Sequence, residues 1–337
     1  MATGEQTPRD TLSRMINAYQ VSQAIHVAAT LGIADLLTDG PKTVDDLAEA
    51  TRSDVSSLYR LLRALASVGL FVEDDGRFGL TSVAEYLQSN IPGSLRAWAM
   101  FVGQPYTWST WGHLLDSIRS GEPSFSKLHG MTPWEFRANH PHEAATFDAA
   151  MAGISAAAVA SVVRSYDFSA LGVVADVGGG HGELLAGILA ANPRLQGILF
   201  DQPHVVAGAA SVLERAGVAD RCEIVGGSFF ETLPGGADAY LFKSVIHNWD
   251  DARSVEILRT CRTAMTSTSR LLLVEPIMRP GNEPDPMKYM DLMMLVMLGS
   301  RERTADDFER LYGEAGFRLT GIVATGSPYS IIEGVPT

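Results

Sequence analysis

Short apolar, β-branched runs alternate with helix-like stretches through the second half of the chain, and this alternation constrains the fold more than any other feature. The runs cover residues 173–177, 197–200, 222–225, 239–242 and 271–274. Strands that alternate with helices form parallel sheets with helices packed on both faces. We therefore predict an α/β fold, with a doubly wound sheet from about residue 166 and an antiparallel strand near Ile331.

The N-terminal region predicts a winged helix. Apolar residues keep a helical rhythm over residues 11–38, and Thr43 is a good N-cap for a short helix over residues 44–50. A second helix is predicted to begin near Asp54, followed by two apolar runs around Asp75-Gly76, which is a strong hairpin signal. We place this domain at residues 1–92.

Charge decides between two functions for a winged helix. The chain carries a formal net charge of -13, and residues 1–90 hold 7 Lys or Arg against 12 Asp or Glu. A protein that reads DNA needs a basic face, since its first partner is the phosphate backbone. We therefore expect a packing or dimerisation role and no nucleic-acid partner, and a DNA-binding regulator is the less favoured alternative.

Cysteine content and apolar runs indicate the compartment. Cys222 and Cys261 alone make no disulfide framework, which fits a reducing cytosol. The N-terminus lacks signal-peptide character, and we expect no apolar run that approaches the roughly 20 residues of a membrane span. We predict a cytoplasmic protein without a membrane partner. The spacing of His140 and His142 favours a helix entry over a zinc site, so no metal is expected.

Residues 93–165 read as a helical linker that is rich in aromatic side chains. Most of these rings should be core, and some are expected to line a pocket for a flat substrate. A second group, five methionines between Met287 and Met297, crowds one predicted helix. Core packing is the main interpretation for them, and Met294 is the one we assign to the substrate pocket.

A glycine loop follows the first strand of the α/β domain. The strand ends at Asp176 and leads into Gly178-x-Gly180-x-Gly182, and the second strand ends at Asp201. Glycines allow a close approach of backbone to ligand. A carboxylate at Asp176 repels phosphate but suits an ammonium group, and Asp201 can accept hydrogen bonds from ribose hydroxyls. The pattern favours S-adenosylmethionine over NAD; a tight turn with helix-capping acids is the plain alternative.

His247 follows the fourth strand. Ligands of open parallel sheets bind at the carboxyl ends of the strands, so His247 lies on the expected edge. Asp250 should cap the next helix. A structural histidine remains the alternative, and Glu275 and Glu302 taken singly could be solvated acids.

Five motifs in order resemble the small-molecule O-methyltransferase family. They are Asp-Val-Gly-Gly-Gly-x-Gly, Phe-Asp-x-Pro-His, Lys-x-x-x-His-x-Trp-x-Asp, Glu275 and Arg-Glu-Arg-Thr at residues 301–304. The family includes plant caffeic acid O-methyltransferases and bacterial enzymes that decorate aromatic natural products. The resemblance covers nearly the whole chain. It implies a Rossmann-like methyltransferase domain over residues 166–337 and a homodimer through the winged helix.

The resemblance also implies an activity and residue roles. A methyl group would pass from S-adenosylmethionine to a hydroxyl of a small aromatic molecule, giving S-adenosylhomocysteine. Cofactor contacts are implied for residues of the glycine loop, of three strand ends and of one helix: Asp176, Gly178, Gly180, Asp201, Lys243, Met151 and Ser155. His247 is implied as general base, with Glu275 and Glu302 flanking its imidazole, and Phe147 close to the substrate.

Two positions depart from the family pattern. Many relatives carry Gly-Asp-Met-Phe near the adenine, where this chain has Gly227-Ser228-Phe229-Phe230, and Ser300 replaces a usual glycine. Ser228 would accept a weaker hydrogen bond than a carboxylate, and Phe229 could stack on adenine. Some relatives use the cofactor without methylation, for hydroxylation, decarboxylation or pericyclic reactions, and this alternative stays open. The motifs do not name the substrate.

Overall fold

The structure, a computed structural model, describes residues 7–337, except for the side chains of residues 155–157. The α-helices are α1 Pro8–Thr30, α2 Ile33–Leu36, α3 Val44–Thr51, α4 Val55–Ser67, α5 Arg96–Val102, α6 Pro105–Gly112, α7 Leu114–Ser120, α8 Ser124–His129, α9 Pro133–Asn139, α10 Pro141–Ser165, α11 Glu183–Ala191, α12 Pro203–Val206, α13 Ala210–Arg215, α14 Asp251–Ala264, α15 Met287–Leu298 and α16 Ala305–Glu314. The strands are β1 Lys42–Thr43, β2 Phe71–Asp74, β3 Arg77–Leu80, β4 Val173–Val177, β5 Gln196–Asp201, β6 Cys222–Gly226, β7 Ala239–Lys243, β8 Arg270–Pro276, β9 Phe317–Ala324 and β10 Tyr329–Pro336.

The chain forms two compact units. The first consists of Met1–Ser109 and Arg137–Ile154, of which the structure describes residues from Thr7 onwards. The second consists of Thr110–Phe136 and Ser155–Thr337. The boundaries expected from the sequence, at residues 92 and 165, stay a prediction.

The first unit contains the predicted winged helix. A capping box between Thr43 and Asp46 begins α3, and the Asp54 carboxylate caps α4 by accepting from the Ser57 N–H. The predicted hairpin is formed by β2 and β3, and β1 adds a third antiparallel strand beside β3. The helices and the hairpin bury one apolar cluster, in which Leu62 and Phe78 are fully enclosed.

The prediction of one helix over residues 11–38 was wrong. The helix begins earlier, at Pro8, behind a capping box at Thr7, and it ends at Thr30. Gly32 adopts a left-handed conformation, with φ of 68°, and separates α1 from the short helix α2. A left-handed glycine is a usual helix terminator, and the apolar rhythm alone did not reveal it.

The second unit is built on a seven-stranded sheet with the order β6-β5-β4-β7-β8-β10-β9. Neighbouring strands are parallel from β6 to β8, as the alternating pattern predicted. The antiparallel strand expected near Ile331 is β10, which lies between β8 and β9. The strand β9 was not predicted from the sequence. Ligands of open parallel sheets bind at the carboxyl ends of the strands, so this edge of the sheet is where a ligand is expected.

Each face of this sheet has its own apolar core. Alternate side chains along β7 show the division: Tyr240 and Phe242 belong to one cluster, and Ala239 and Leu241 to the other. All four are fully buried. Strands buried on both faces need nearly continuous apolar sequence, which is why the runs were recognisable.

Helix α10 corrects one expectation about the membrane. At 25 residues it is long and apolar enough to cross a membrane, by length and composition alone. The expectation that no apolar run approaches the length of a span was therefore wrong. A single such helix is weak evidence for a membrane, because the core helix of a soluble protein passes the same test.

Candidate active site

The glycine loop crosses the carboxyl end of the central strand β4. Gly178 and Gly180 have φ of 70° and 63°, conformations that favour glycine. A Cβ at Gly178 would lie 2.7 Å from the Val245 Cγ2, so a larger residue would collide with the segment after β7. At Gly180 no atom lies within 4 Å of the position that a Cβ would take. The loop is thus packed against protein on one side at Gly178 and open at Gly180.

Asp201 connects the end of β5 to the glycine loop that follows β4. Its Oδ2 accepts a hydrogen bond from the Gly180 N–H at 2.9 Å, and its Oδ1 accepts from the Gln202 N–H at 2.7 Å. The carboxylate is only half-buried. It holds the glycine loop and still has a face toward solvent, which suits a residue expected to bind ribose hydroxyls.

Asp176 is a buried carboxylate beneath the loop. The residue is 2% exposed, and neither carboxylate oxygen has a hydrogen-bond partner among the residues that the structure describes. Burial raises its pKa to about 7, against the opposing pull of the Lys243 charge. A buried carboxylate without partners is costly unless a ligand compensates it.

Lys243 ends β7, the strand next to β4. Burial lowers the pKa of its ammonium group, while the negative charges of Asp176 and Glu275 oppose the shift. The Nζ lies 5.2 Å from the centroid of the Tyr329 ring, a cation–π distance that helps keep a half-buried ammonium charged. Asp176, the glycine loop, Asp201 and Lys243 thus meet at one sheet edge. The unpartnered carboxylate and the open glycine cradle fit the amino-acid and ribose parts of S-adenosylmethionine.

The segment after β6 was expected to reach the adenine. The Ser228 Oγ accepts from the Phe230 N–H at 3.3 Å, so the hydroxyl caps its own turn. Phe229 packs edge-on against Phe230 and Trp249, with ring centroids 5.0 and 6.1 Å away. These rings form a partly buried aromatic cluster beside the third strand end, and adenine stacking on Phe229 stays a prediction.

His247 lies in a single 3-10 turn, Ile246–Asn248, directly after β7. Its Nδ1 is 3.0 Å from the Glu302 Oε1. The imidazole side chain is 18% exposed and the Glu302 side chain 1%, so the carboxylate is enclosed and the imidazole keeps access to solvent. Burial on its own lowers the pKa of His247, but the charges of Glu275 and Glu302 outweigh it and raise the pKa above its usual value.

Glu275 was expected to flank the imidazole together with Glu302, and a catalytic role for it stays a prediction. Its Oε1 accepts from the backbone N–H groups of Val245 and Ile246, at 3.0 and 2.9 Å. The carboxylate that pairs with the imidazole Nδ1 is that of Glu302. The Glu275 Oε2 has no hydrogen-bond partner in the described part of the chain, and burial raises the pKa of this carboxyl although the His247 charge opposes the rise. Glu275 therefore holds the backbone of the turn and acts on His247 through its charge.

Four residues were expected near the substrate and the methyl group of the cofactor. Met294 is buried in α15, and the adjacent Met293 accepts a hydrogen bond at its sulfur from the Trp111 indole at 3.1 Å. Phe147 and Met151 belong to the first compact unit, where the Arg137 guanidinium lies 3.9 Å from the Phe147 ring centroid. The Ser155 side chain lies outside the described residues. The roles expected for these four residues stay predictions.

Arg303 was not singled out from the sequence. Only Glu302 of the Arg-Glu-Arg-Thr motif was given a role, yet Arg303 is 1% exposed and donates to the carbonyls of Ile246 and Trp249 on either side of His247. Its place next to Glu302 in a motif of three charged residues was the available signal. Among the residues that the structure describes, no group of three or more His, Cys, Asp or Glu is arranged to hold a metal ion.

Comparison with known proteins identifies the family. The family model of the O-methyltransferase domain matches residues 111–318, and that of the O-methyltransferase dimerisation domain matches residues 13–90. The phenazine O-methyltransferase PhzM of Lysobacter antibioticus is 44% identical over 326 residues, which cover 96% of this chain and 95% of that protein.

Solved structures are similar to this chain over nearly its whole length. The crystal structure of LaPhzM has a TM-score of 0.92 at 43% identity, covering 98% of this chain and all of that one. NcsB1 from neocarzinostatin biosynthesis, solved with S-adenosylmethionine and 2-hydroxy-5-methyl naphthoic acid, has a TM-score of 0.82 at 34% identity, covering 94% of this chain and 96% of that one. The family predicted from the motifs is confirmed. The chain belongs to the S-adenosylmethionine-dependent O-methyltransferases and carries their N-terminal dimerisation domain.

Proposed function

We propose that this protein methylates a hydroxyl group of a small aromatic molecule, with His247 as general base. The observation that carries the proposal is the 3.0 Å contact between the His247 Nδ1 and the enclosed Glu302 carboxylate. A carboxylate on one ring nitrogen selects the tautomer that leaves the other nitrogen, Nε2, able to accept a proton. The proposal thus assigns Nε2 as the proton acceptor.

The proton chemistry explains why a base is needed. A free phenol has a pKa near 10 and is a poor nucleophile at neutral pH. His247 takes the hydroxyl proton at Nε2 as the oxygen attacks, and the resulting imidazolium is stabilised by the charges of Glu302 and Glu275. Glu275 also fixes the turn that carries the imidazole, through its two backbone hydrogen bonds.

The sheet edge would hold the cofactor. S-adenosylmethionine supplies an electrophilic methyl group when bound. Lys243 and Asp176 face its amino-acid part in this proposal, Gly178 and Gly180 give the backbone cradle, and Asp201 binds the ribose. Ser228 and Phe229 would contact the adenine, more weakly than an acid at residue 228 would allow.

For the substrate we propose a planar, fused-ring aromatic molecule with a free hydroxyl. Its support is the chemistry named for the relatives, a phenazine for the enzyme of Lysobacter antibioticus and a naphthoic acid for NcsB1. Phe147 and Met294 would contact the rings, and Met151 and Ser155 would lie near the sulfonium. Flat apolar side chains and adaptable methionines suit such a ligand.

We also propose a cytoplasmic homodimer that assembles through residues 1–92. The match to a dimerisation domain over residues 13–90 supports this. So does an apolar group exposed along α1, which includes Leu12, Met15, Ile16 and Tyr19, each more than half exposed. Apolar patches of this kind mark interfaces. One chain has a mass of 36.2 kDa, and light scattering on the purified protein should give twice that mass. The mass of a monomer would contradict the proposal.

The reaction itself is tested with methyl-deuterated S-adenosylmethionine and a pooled panel of hydroxyphenazines, hydroxynaphthoates and simple phenols. Mass spectrometry should find a labelled product, and His247→Ala should lower turnover by roughly 10² or more while still binding S-adenosylhomocysteine. Near-normal turnover of His247→Ala would refute the assignment of the base. A panel member that changes mass without gaining label would favour the non-methylating alternative.

A further inference from the structure

We infer that Arg303 is a positioning residue, which holds the turn carrying His247 in register with Glu302. This inference rests on the proposed role of His247 as the base. It begins from burial: Arg303 is 1% exposed and is the largest of the fully buried side chains within the described residues. Burial of a guanidinium costs free energy unless its N–H groups find hydrogen-bond acceptors and its charge finds a partner.

The first group of contacts brackets His247. The Arg303 Nη1 donates to the Ile246 carbonyl at 3.0 Å, and its Nη2 donates to the Trp249 carbonyl at 2.9 Å. These are the residue before the imidazole and the second residue after it. A single 3-10 turn has few hydrogen bonds of its own, here two: the Asn248 N–H donates to the Val245 carbonyl at 3.1 Å and the Trp249 N–H to the Ile246 carbonyl at 3.2 Å. Arg303 therefore supplies contacts that the turn cannot make internally.

The second group of contacts anchors the guanidinium to α14. Its Nε and Nη2 both donate to the Asp251 Oδ1, at 3.1 and 2.9 Å, and Nη2 also donates to the Ser254 Oγ at 3.1 Å. Although burial favours the neutral acid, Arg303 and its neighbours hold the pKa of Asp251 below its usual value, so the partner stays charged. One planar fork thus joins the turn to the start of the next helix.

The backbone of Arg303 connects this fork to the acid. Glu302, which pairs with the imidazole, precedes it directly, and the Arg303 carbonyl accepts from the Met278 N–H at 3.0 Å. The Glu302 N–H donates to the Asp291 Oδ1 at 2.8 Å. The side chain of Arg303 thus holds the turn that carries His247, and its main chain is continuous with Glu302. A shift of Arg303 would therefore move the imidazole relative to the Glu302 carboxylate.

A lysine cannot reproduce this arrangement. Arginine presents five N–H donors in a rigid plane, whereas lysine presents one ammonium point on a flexible stem. Arg303→Lys keeps the charge but loses the simultaneous contacts to Ile246, Trp249 and Asp251. Misplacement of a catalytic group by about 1 Å can cost about 10²-fold in rate. The substitution should therefore affect the catalytic step more than the binding of either ligand.

The test compares Arg303→Lys with Arg310→Ala. Arg310 contacts Asp251 and Asp307 from the exposed side of the same ion-pair network without reaching the His247 turn. Arg303→Lys should lower kcat by roughly 10- to 100-fold with KM and the affinity for S-adenosylhomocysteine unchanged, and Arg310→Ala should leave kcat as it is. Nuclear magnetic resonance of ¹⁵N-histidine-labelled protein reads the His247 ring directly, with His247→Ala giving the assignment. Its pKa and tautomer signals should move in Arg303→Lys.

The outcomes separate this inference from the proposed function. Unchanged kcat and unchanged His247 signals in folded Arg303→Lys would overturn the positioning role and leave the base assignment standing. Full turnover in His247→Ala would instead remove the base itself. If Arg303→Lys does not fold, Asp251→Asn loosens the same fork from a partly exposed position. It should shift the His247 signals and lower kcat in the same direction; no change in either would overturn the inference.

Discussion

Replacement of Glu302 by glutamine isolates the effect of one charge on the imidazole of His247, the proposed base. The Oε1 of this residue is 3.0 Å from the His247 Nδ1, and glutamine keeps an oxygen there as a neutral acceptor. Two unit charges about 4 Å apart interact by about 4 kcal/mol at an effective dielectric constant of about 20. Desolvation offsets part of this, and hydrogen bonds to charged groups contribute about 1.5–3 kcal/mol net. Since one pKa unit corresponds to about 1.36 kcal/mol, the pKa of His247 should fall by about one to two units.

The sign of the pH effect follows from the proposed role of His247 as the general base. Only the neutral imidazole accepts a proton, so activity is lost as the pH falls through the folded-state pKa, which Glu275 and Glu302 raise above 6.5 against the effect of burial. In Glu302→Gln the acid limb of kcat/KM should move about one to two units toward lower pH. The plateau rate should drop by roughly 10- to 100-fold, because the imidazolium loses its partner in the transition state.

The assay is a pH profile of labelled methyl transfer, with Glu309→Gln as the matched control. Glu309 is an exposed acid on α16, and its loss removes the same charge from the protein surface. Its profile should superimpose on that of the parent enzyme. An acid limb in Glu302→Gln that stays at the same pH, with an unchanged plateau, would refute the reasoning that the Glu302 charge sets the basicity of His247.

Two further predictions concern the cofactor site. Gly178→Ala should weaken S-adenosylhomocysteine binding by roughly tenfold or more in calorimetry, because the Cβ would sit 2.7 Å from the Val245 Cγ2 at φ of 70°. Gly217→Ala, with φ of 67° and no atom within 4 Å of its Cβ position, is the control; equal losses of affinity in both would contradict the local explanation. Ser228→Asp should tighten the same binding by about threefold to tenfold, since an ionised acceptor makes hydrogen bonds roughly twice as strong; unchanged affinity would mean that residue 228 does not reach the cofactor.

The parts of the fold that sequence predicted are those with strong local signals. The central parallel strands β4 and β7 were visible because they are buried on both faces and therefore need almost continuous apolar residues. The hairpin was visible through Asp75-Gly76, where both residues have positive φ. The strand β9 was missed because it follows helix α16 closely and pairs only with β10, so its alternating pattern resembles that of a surface segment.

The candidate site divides in the same way. His247 and Glu302 could be named from motifs, but their pairing joins residues 55 positions apart, and spacing along the chain does not reveal which acid contacts the ring. Glu275 was expected to flank the imidazole, but the motifs did not reveal that its Oε1 also accepts from two backbone N–H groups of the turn. Arg303 was overlooked because a buried guanidinium is rare, and arginine in sequence is ordinarily a surface residue.

The most direct test of the central claim is a crystal structure of the protein with S-adenosylhomocysteine and an aromatic molecule that accepts the label. We expect the acceptor oxygen to lie within about 2.6–3.2 Å of the His247 Nε2, with the Glu302 carboxylate on Nδ1. An acceptor oxygen beyond hydrogen-bond reach of Nε2, with no water between them, would contradict the claim that His247 is the base.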